Sequence, residues 1–485
     1  MKDFLHLTLE EMHEALVNKE ITPLELTKLV LKEIKIDNNN AFEIIVEKQA
    51  LEKAEKLIEP EKDNIFWGIP YALKDNFSTK DIETTASSNI LNGYIPVFSS
   101  EVYLRLEKKN AILIGKTTLD ELAMGGTGMS GHKGFTFNPY DKKHEHMIGG
   151  SSCGSAAVVS AGYVPFALGS DTGDSVRKPA SNAGLVGFKP TWGRISRFGL
   201  FPFAPSLDHV GYFTRSVKDA SYLLELLAGR DEKDSTSSNK PVENYSSLTA
   251  DIKGYKVAVI KEIYDSVDNK IIKQSFENSL TKLKEMGASV DFVSMDLNLL
   301  KAIYPAYIVI SCAEATSNNA NLDGIKFGPR FEGNTYEEVM SKARTNGFSE
   351  LIRRRFVIGS YSLLRENQDE LFLRAQKARR LIVNATNKIL KDYDVIYLPA
   401  APSTAPLFKG NSDKLSNEYL IADNYLAIGN FGGYPSLTLP IGFDDNLPFG
   451  GNFTGRVFEE KKVLNISLAL ENALGYKNLY AKEDK

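Results

Sequence analysis

Serine and glycine crowd one part of this chain, and histidine is scarce. Gly149-Gly150-Ser151-Ser152-Cys153-Gly154-Ser155 is followed by Gly169-Ser170-Asp171-Thr172-Gly173-Asp174-Ser175-Val176-Arg177. A serine hydroxyl is a poor nucleophile until a base takes its proton. Imidazole is the common base, but the chain has six histidines and only His209 follows Ser152. Gly150-Ser151-Ser152-Cys153-Gly154 formally fits the nucleophile elbow of α/β-hydrolases, with Ser152 as nucleophile. That chemistry needs an acid and then a histidine further along the chain. His209, beside Asp208, is expected to make a structural hydrogen bond instead. A neutral lysine can replace imidazole, because burial disfavours the ammonium form. Gly68-Ile69-Pro70-Tyr71-Ala72-Leu73-Lys74-Asp75-Asn76 offers one, since Lys74 follows an apolar strand and starts near the core. The turn Thr172-Gly173-Asp174-Ser175 is expected to aim successive backbone N–H groups at one spot, as an oxyanion hole.

Other motifs carry less. Gly126-Thr127-Gly128-Met129-Ser130-Gly131 fits the dinucleotide fingerprint but lacks the strand before it and the helix after it, and reads as a loop. Gly115-Lys116-Thr117 lacks the first glycine of a phosphate loop, with Asn110 in its place. His144-Glu145-His146 has no further ligands nearby and reads as a solvated loop rather than a metal site. Ser152 and Ser155 read as helix-capping or packing groups.

The elements that must position this chemistry alternate between helix and strand, which predicts an α/β layered fold. Thr8 with Glu11 and Thr22 with Glu25 form capping boxes at the start of two helices. Strands are expected at 66–73, 111–115, 164–168, 256–260, 289–293, 395–398 and 437–441. Helices are expected at 155–160 and 270–286, with a long amphipathic one at 363–390. Gly229–Ser247 is polar and reads as a loop or internal boundary. The stretches 148–170 and 424–443 carry no charged residue and are about long enough to span a bilayer, but their Gly and Pro content marks them as buried core. No membrane segment or leader is read at the N-terminus. A net charge of −4, from 58 Lys+Arg and 62 Asp+Glu, argues against a chain that grips nucleic acid by a basic surface. Two cysteines exclude a disulfide framework and suit a reducing, cytoplasmic setting.

Taken together and in order, the segments beginning at Gly68, Gly149 and Gly169 resemble the amidase signature family, and the likeness extends over nearly the whole chain. It implies a Ser–cis-Ser–Lys triad: Ser175 the acylated nucleophile, Ser151 the bridging serine after a cis Gly150–Ser151 peptide, and Lys74 the base. The oxyanion hole would be built from Thr172, Gly173 and Asp174. The implied fold is a single large α/β/α layered domain over 1–485 around a mixed central sheet. N-terminal helices fall in about 1–60 and a peripheral β-α-β region in about 250–300.

Within the family, Gly193–Leu200, Ser206-Leu207-Asp208, Leu119–Gly126, Tyr307–Gly324, and Asp423 ahead of Gly433-Tyr434-Pro435 are most similar to the glutamine-hydrolysing subunits of tRNA amidotransferases. That branch implies that Tyr307, Arg355 and Asp423 hold the amino-acid end of glutamine. Arg355 would pair with the α-carboxylate and Asp423 with the α-ammonium, and Thr127 would line the same pocket. The implied function is release of ammonia from glutamine for transamidation of Glu-tRNA(Gln) to Gln-tRNA(Gln). The implied assembly is a heterotrimer with subunits B and C. This chain would carry no cofactor or metal, with ATP and magnesium in the partner, which would also make most of the tRNA contacts. Two alternatives stay open: a stand-alone amidase acting on another carboxamide, or a non-catalytic binding subunit. Cys153 and Asp174 stand where the family usually has glycine. Asp174 is expected to point away from the oxyanion hole, with Arg177 or Lys178 neutralising it.

Overall fold

The computed structural model describes residues 3–409 and 421–481. Eleven strands among them form one sheet: β1 Phe42–Ile45, β2 Pro70–Lys74, β3 Ile112–Thr117, β4 Phe166–Asp171, β5 Val186–Lys189, β6 His209–Thr214, β7 Lys256–Ile260, β8 Ser289–Val293, β9 Val395–Pro399, β10 Ser436–Asp444 and β11 Leu447–Gly455. Their spatial order is β1-β3-β2-β4-β6-β5-β10-β11-β9-β7-β8. The β3-β2-β4 and β9-β7-β8 pairs are parallel, and the pairs between β4 and β9 are antiparallel. The sheet is therefore mixed, with helices packed against it, as the alternation of elements predicts.

Strands β2 to β6 are buried at every residue, which is why they read as continuous apolar runs rather than alternating ones. Both N-terminal capping boxes form, with Thr8 and Thr22 each accepting from the residue three further on. The β-α-β segment contributes β7 and β8 to one edge of the common sheet. Residues 148–170 are almost wholly buried. Gly115-Lys116-Thr117 lies within β3, and Gly126–Gly131 is a loop.

The long helix expected at 363–390 starts later: the helix Glu350–Leu363 ends where it was to begin, and a π-helical turn at Asp369–Leu373 leads directly into Arg374–Asp392. Leu364 leaves helical geometry, and the side-chain amide of Asn367 takes the Tyr361 carbonyl that a continuing helix would have used. Helix Leu297–Asn318 lies against both of them. It belongs to a segment, Leu297–Asn321, long and apolar enough by length and composition to cross a membrane. Its Ile303, Ala306 and Ile310 are instead buried within the protein.

Candidate active site

Lys74 is the last residue of β2, and its side chain has no solvent exposure. Its Nζ lies 2.8 Å from Ser151 Oγ, 2.9 Å from Ser152 Oγ and 2.9 Å from Ser170 Oγ. Burial lowers its pKa from the ordinary 10.5 to about 7, while the Cys153 thiol and the carboxylates of Asp120, Asp171 and Asp208 pull the other way. A large fraction of neutral amine is therefore available near neutral pH. The adjacent Asp75 is likewise buried. Its carboxylate pairs with buried Lys116 at 3.0 Å and accepts from the Thr85 N–H and hydroxyl, fixing where the chain goes after Lys74.

Ser151 follows a cis peptide bond from Gly150. A Cβ at Gly150 would stand 2.0 Å from Asp120 Oδ2, so the close approach requires glycine. The Ser152 side chain does not cap the helix Cys153–Ser160, so of the capping and packing roles expected for it only packing holds. Its hydroxyl donates to the Ser170 carbonyl at 3.0 Å and joins the Lys74 cluster, because the buried lysine offers a stronger partner than the helix N–H groups do. Ser155 packs as expected, donating to the Leu168 carbonyl.

Ser175 sits on the turn after β4, buried, with its carbonyl accepting from the Ser152 N–H at 3.3 Å. That bond places the two serine segments side by side. Among the described residues, the N–H groups of Gly173 and Ser175 meet no acceptor within the chain. The turn is held from behind. Asp171 accepts from the Val176 N–H and from Arg177 Nε and Nη2, and Arg177 also donates to the Gly173 carbonyl at 2.8 Å. The Arg177 charge holds the Asp171 carboxyl far below its ordinary value against the opposing effect of burial. The Thr172 hydroxyl donates to Asp208 at 2.7 Å. Arg177 and Lys178 do not neutralise Asp174: the first is committed to Asp171, and the second pairs with Asp423 at 2.5 Å. His209 makes a structural contact, 2.6 Å from Nδ1 to the Leu207 carbonyl, and burial drives its pKa far down.

A cavity opens beside this turn, enclosing about 460 Å³ that includes its solvent-open mouth. Gly125, Gly126, Gly173, Asp174, Tyr307, Arg355 and Asn424 are among its walls. Tyr307 comes from helix Leu297–Asn318 and lies over Gly173, where a Cβ would meet the ring at 2.9 Å. Arg355 comes from helix Glu350–Leu363. The buried stripe Ile352, Arg355, Phe356, Gly359 and Ser362 follows helical spacing, so only Arg355 of the Arg353-Arg354-Arg355 run turns inward. A Cβ at Gly359 would stand 2.1 Å from the Cys312 carbonyl, and this close crossing brings the Tyr307 and Arg355 helices together. Arg355 is 6% exposed, and among the described residues its Nε and Nη1 have no N or O hydrogen-bond partner. Asn424 on the wall follows Asp423. Thr127 is not among the residues lining this cavity; its hydroxyl accepts from the Met129 N–H at 3.3 Å within its own loop.

Asp120 has no exposure and no role assigned by the motifs. Its carboxylate accepts from the N–H groups of Thr127, Gly128, Met129 and Ser130 and from the Ser130 hydroxyl, at 2.9 to 3.1 Å. Its own N–H donates to the Ser151 carbonyl. The next residue, Glu121, accepts from the Ser349 N–H at 3.2 Å, at the start of the Arg355 helix. One dipeptide thus ties the cis-serine segment, the Gly125–Gly131 loop and the Arg355 helix together. The sequence signal was a buried-looking acid just ahead of a glycine-rich loop. Among the described residues, no three His, Cys, Asp or Glu side chains group as a metal site.

A mixed sheet that delivers a buried lysine of lowered pKa to serines at a cis peptide, beside a turn whose Gly173 and Ser175 N–H groups meet no acceptor among the described residues, defines an amidase-type enzyme. The family model described as Amidase matches residues 25–464, and the chain belongs to that family. It is 41% identical over 479 residues to the A-subunit of glutamyl-tRNA(Gln) amidotransferase from Pediococcus pentosaceus, covering 97% of each chain. It is 39% identical over 486 residues to the protein of the same name from Staphylococcus haemolyticus, covering 98% of this chain and 99% of that one. The crystal structure of the glutamyl-tRNA(Gln) amidotransferase A-subunit from Thermotoga maritima superposes with a TM-score of 0.82 at 36% identity, over 100% of this chain and 99% of that one.

Proposed function

We propose that this chain is the glutaminase subunit of a glutamine-dependent Glu-tRNA(Gln) amidotransferase. The observation that carries the reading is the buried Lys74–Ser151 contact beside Ser175, joined to a cavity lined by buried Arg355, whose Nε and Nη1 have no N or O partner among the described residues. The near-full-length similarity to proteins named for that amidotransferase supports the choice of substrate. Neutral Lys74 accepts a proton from Ser151, and Ser151 accepts one from Ser175. Ser175 Oγ attacks the side-chain carboxamide carbon of glutamine, and the N–H groups of the Thr172–Ser175 turn receive the oxyanion. The proton returns through Ser151 to the leaving nitrogen, the C–N bond breaks, ammonia departs, and a glutamyl ester stays on Ser175. Water then attacks the ester by the reverse relay and releases glutamate.

Arg355 pairs with the α-carboxylate, with Tyr307 alongside. Thr127 and Asp423 flank this end of the site, and Asp423 reaches a substrate ammonium only by sharing it with Lys178. Partner subunits B and C complete the assembly in the cytoplasm. ATP and magnesium act in the partner that amidates the tRNA-borne glutamate. The test is Ser175→Ala in the assembled complex. Glutamine-dependent activity falls by ~10³-fold or more, while ammonium chloride still supports transamidation. Retention of glutamine-dependent activity would remove Ser175 from the nucleophile's role.

A further inference from the structure

Three hydroxyls surround the amine of Lys74, and a neutral amine has one lone pair. The ammonium form has an N–H for each of Ser151, Ser152 and Ser170. Once a proton leaves, two N–H bonds and a lone pair remain, and the relay works only if the lone pair faces Ser151. Ser152 does not compete for it. Its hydroxyl donates to the Ser170 carbonyl at 3.0 Å, and its oxygen receives the Ser170 N–H at 3.3 Å. Ser170 does compete. It is 3% exposed, and among the described residues its Oγ has hydrogen-bond contacts only with Lys74 and Asn76, each at 2.9 Å.

Asn76 stands two residues beyond Lys74, with its backbone carbonyl fixed by the Phe201 N–H at 2.8 Å and its side chain buried. Its Nδ2 donates to Ser170 Oγ, which leaves the Ser170 proton no acceptor but Lys74 among the described residues. Its Oδ1 has no hydrogen-bond partner there. The two ends of a carboxamide are nearly equal in size, so a half-turn exchanges them without a change of shape. Oδ1 then accepts the Ser170 proton, and Ser170 Oγ is left to receive a Lys74 N–H. Resting on the glutaminase reading, we infer that Asn76 is a positioning residue: its side-chain carbonyl takes the Ser170 hydroxyl proton, so that Ser152 and Ser170 receive the two N–H bonds of neutral Lys74 and its lone pair is left to Ser151.

The test is a double-mutant cycle in the assembled complex, with kcat and KM for glutamine followed across pH. Asn76→Leu fills similar space without an acceptor, so the Ser170 proton returns to the lone pair. The expected result is a fall in kcat of about tenfold, with KM changed by less than about twofold. Asn76→Ala gives the same result if leucine disturbs the packing. Ser170→Ala removes the competing proton, and in that background Asn76→Leu has no further effect on kcat. Asn76→Asp keeps an acceptor of the same shape and retains the kcat plateau. Its acid limb moves up, because a carboxylate joins Asp120, Asp171 and Asp208 around Lys74. Losses from Asn76→Leu and Ser170→Ala that simply add overturn the inference, since Asn76 would then act on the fold and not through Ser170. Equal loss in Asn76→Asp and Asn76→Leu overturns it too, because donation from Nδ2 would be the working contact. So does full activity in Asn76→Leu. A wild-type complex inert towards glutamine overturns the glutaminase reading and this inference with it, whereas the other three adverse outcomes overturn the inference alone.

Discussion

Lys74 owes its chemistry to its address. It ends a strand with no exposed residue, and three hydroxyls replace the water that an ammonium would recruit. Burial brings its pKa down to about 7. Below that value the base is protonated, so acylation of Ser175 should fall about tenfold per pH unit on the acid side and level off above neutrality. The kcat/KM profile for glutamine measures this directly; a flat profile between about pH 5.5 and 8 would exclude Lys74 as the titrating base. Lys74→Arg keeps the charge and cannot release its proton, so it should be as inactive as Lys74→Ala. The neighbouring Lys116, equally buried, is tied to Asp75 and lies outside the serine cluster. At this scale the reading of Ser152 as a capping or packing group holds only in its second half, because an amine across the core competes for the hydroxyl.

The elements work through a few buried ties. The Gly125–Gly131 loop has no regular structure of its own, and Asp120 holds it by gathering four N–H groups and a hydroxyl. Asp120→Ala would strand those donors and is expected to cost on the order of 3 kcal/mol, read as a lowered unfolding temperature. Asp120→Asn is the more informative variant. The Asp120 charge raises the Lys74 pKa, so removing it should move the acid limb of the activity profile below about 7. A limb that stays in place, or moves up, would show that Asp120 acts on the loop alone. Arg355 is another element-scale result. A run of three arginines does not say which one turns inward, whereas the phase of Ile352, Phe356 and Gly359 on the same helix does.

Across the whole molecule, the site gathers residues far apart in the chain, from Lys74 to Arg355. The sheet order places β2 beside β4, and the Tyr307 and Arg355 helices close over the turn that follows β4. The chain ends are fastened to this frame by Arg215, 2% exposed. It donates to the Leu5 and Leu7 carbonyls, to the Val164 carbonyl just ahead of β4, and to Asn478. Arg215→Ala should lower the unfolding temperature by about 5 °C and speed amide exchange at both ends of the chain. An unchanged unfolding temperature would mean that the ends are held independently of Arg215.

What the sequence determined by itself was local. Seven of the eleven described strands, the two capping boxes, the lysine after an apolar strand and the serine turns follow from propensity, periodicity and spacing over a few residues, whereas β1, β5, β6 and β11 were not read from the sequence. The cis peptide was legible only through resemblance, and the helix expected at 363–390 starts at Asp369 instead, because Asn367 lies in a turn that apolar periodicity would carry through. Tertiary structure alone decided which serines surround Lys74, that Lys178 holds Asp423, and that Asp120 organises a loop on which it does not lie. The reason is physical. A buried charge takes whichever partners the packed chain brings within about 3 Å, and that proximity depends on sheet order and helix phase rather than on distance along the sequence.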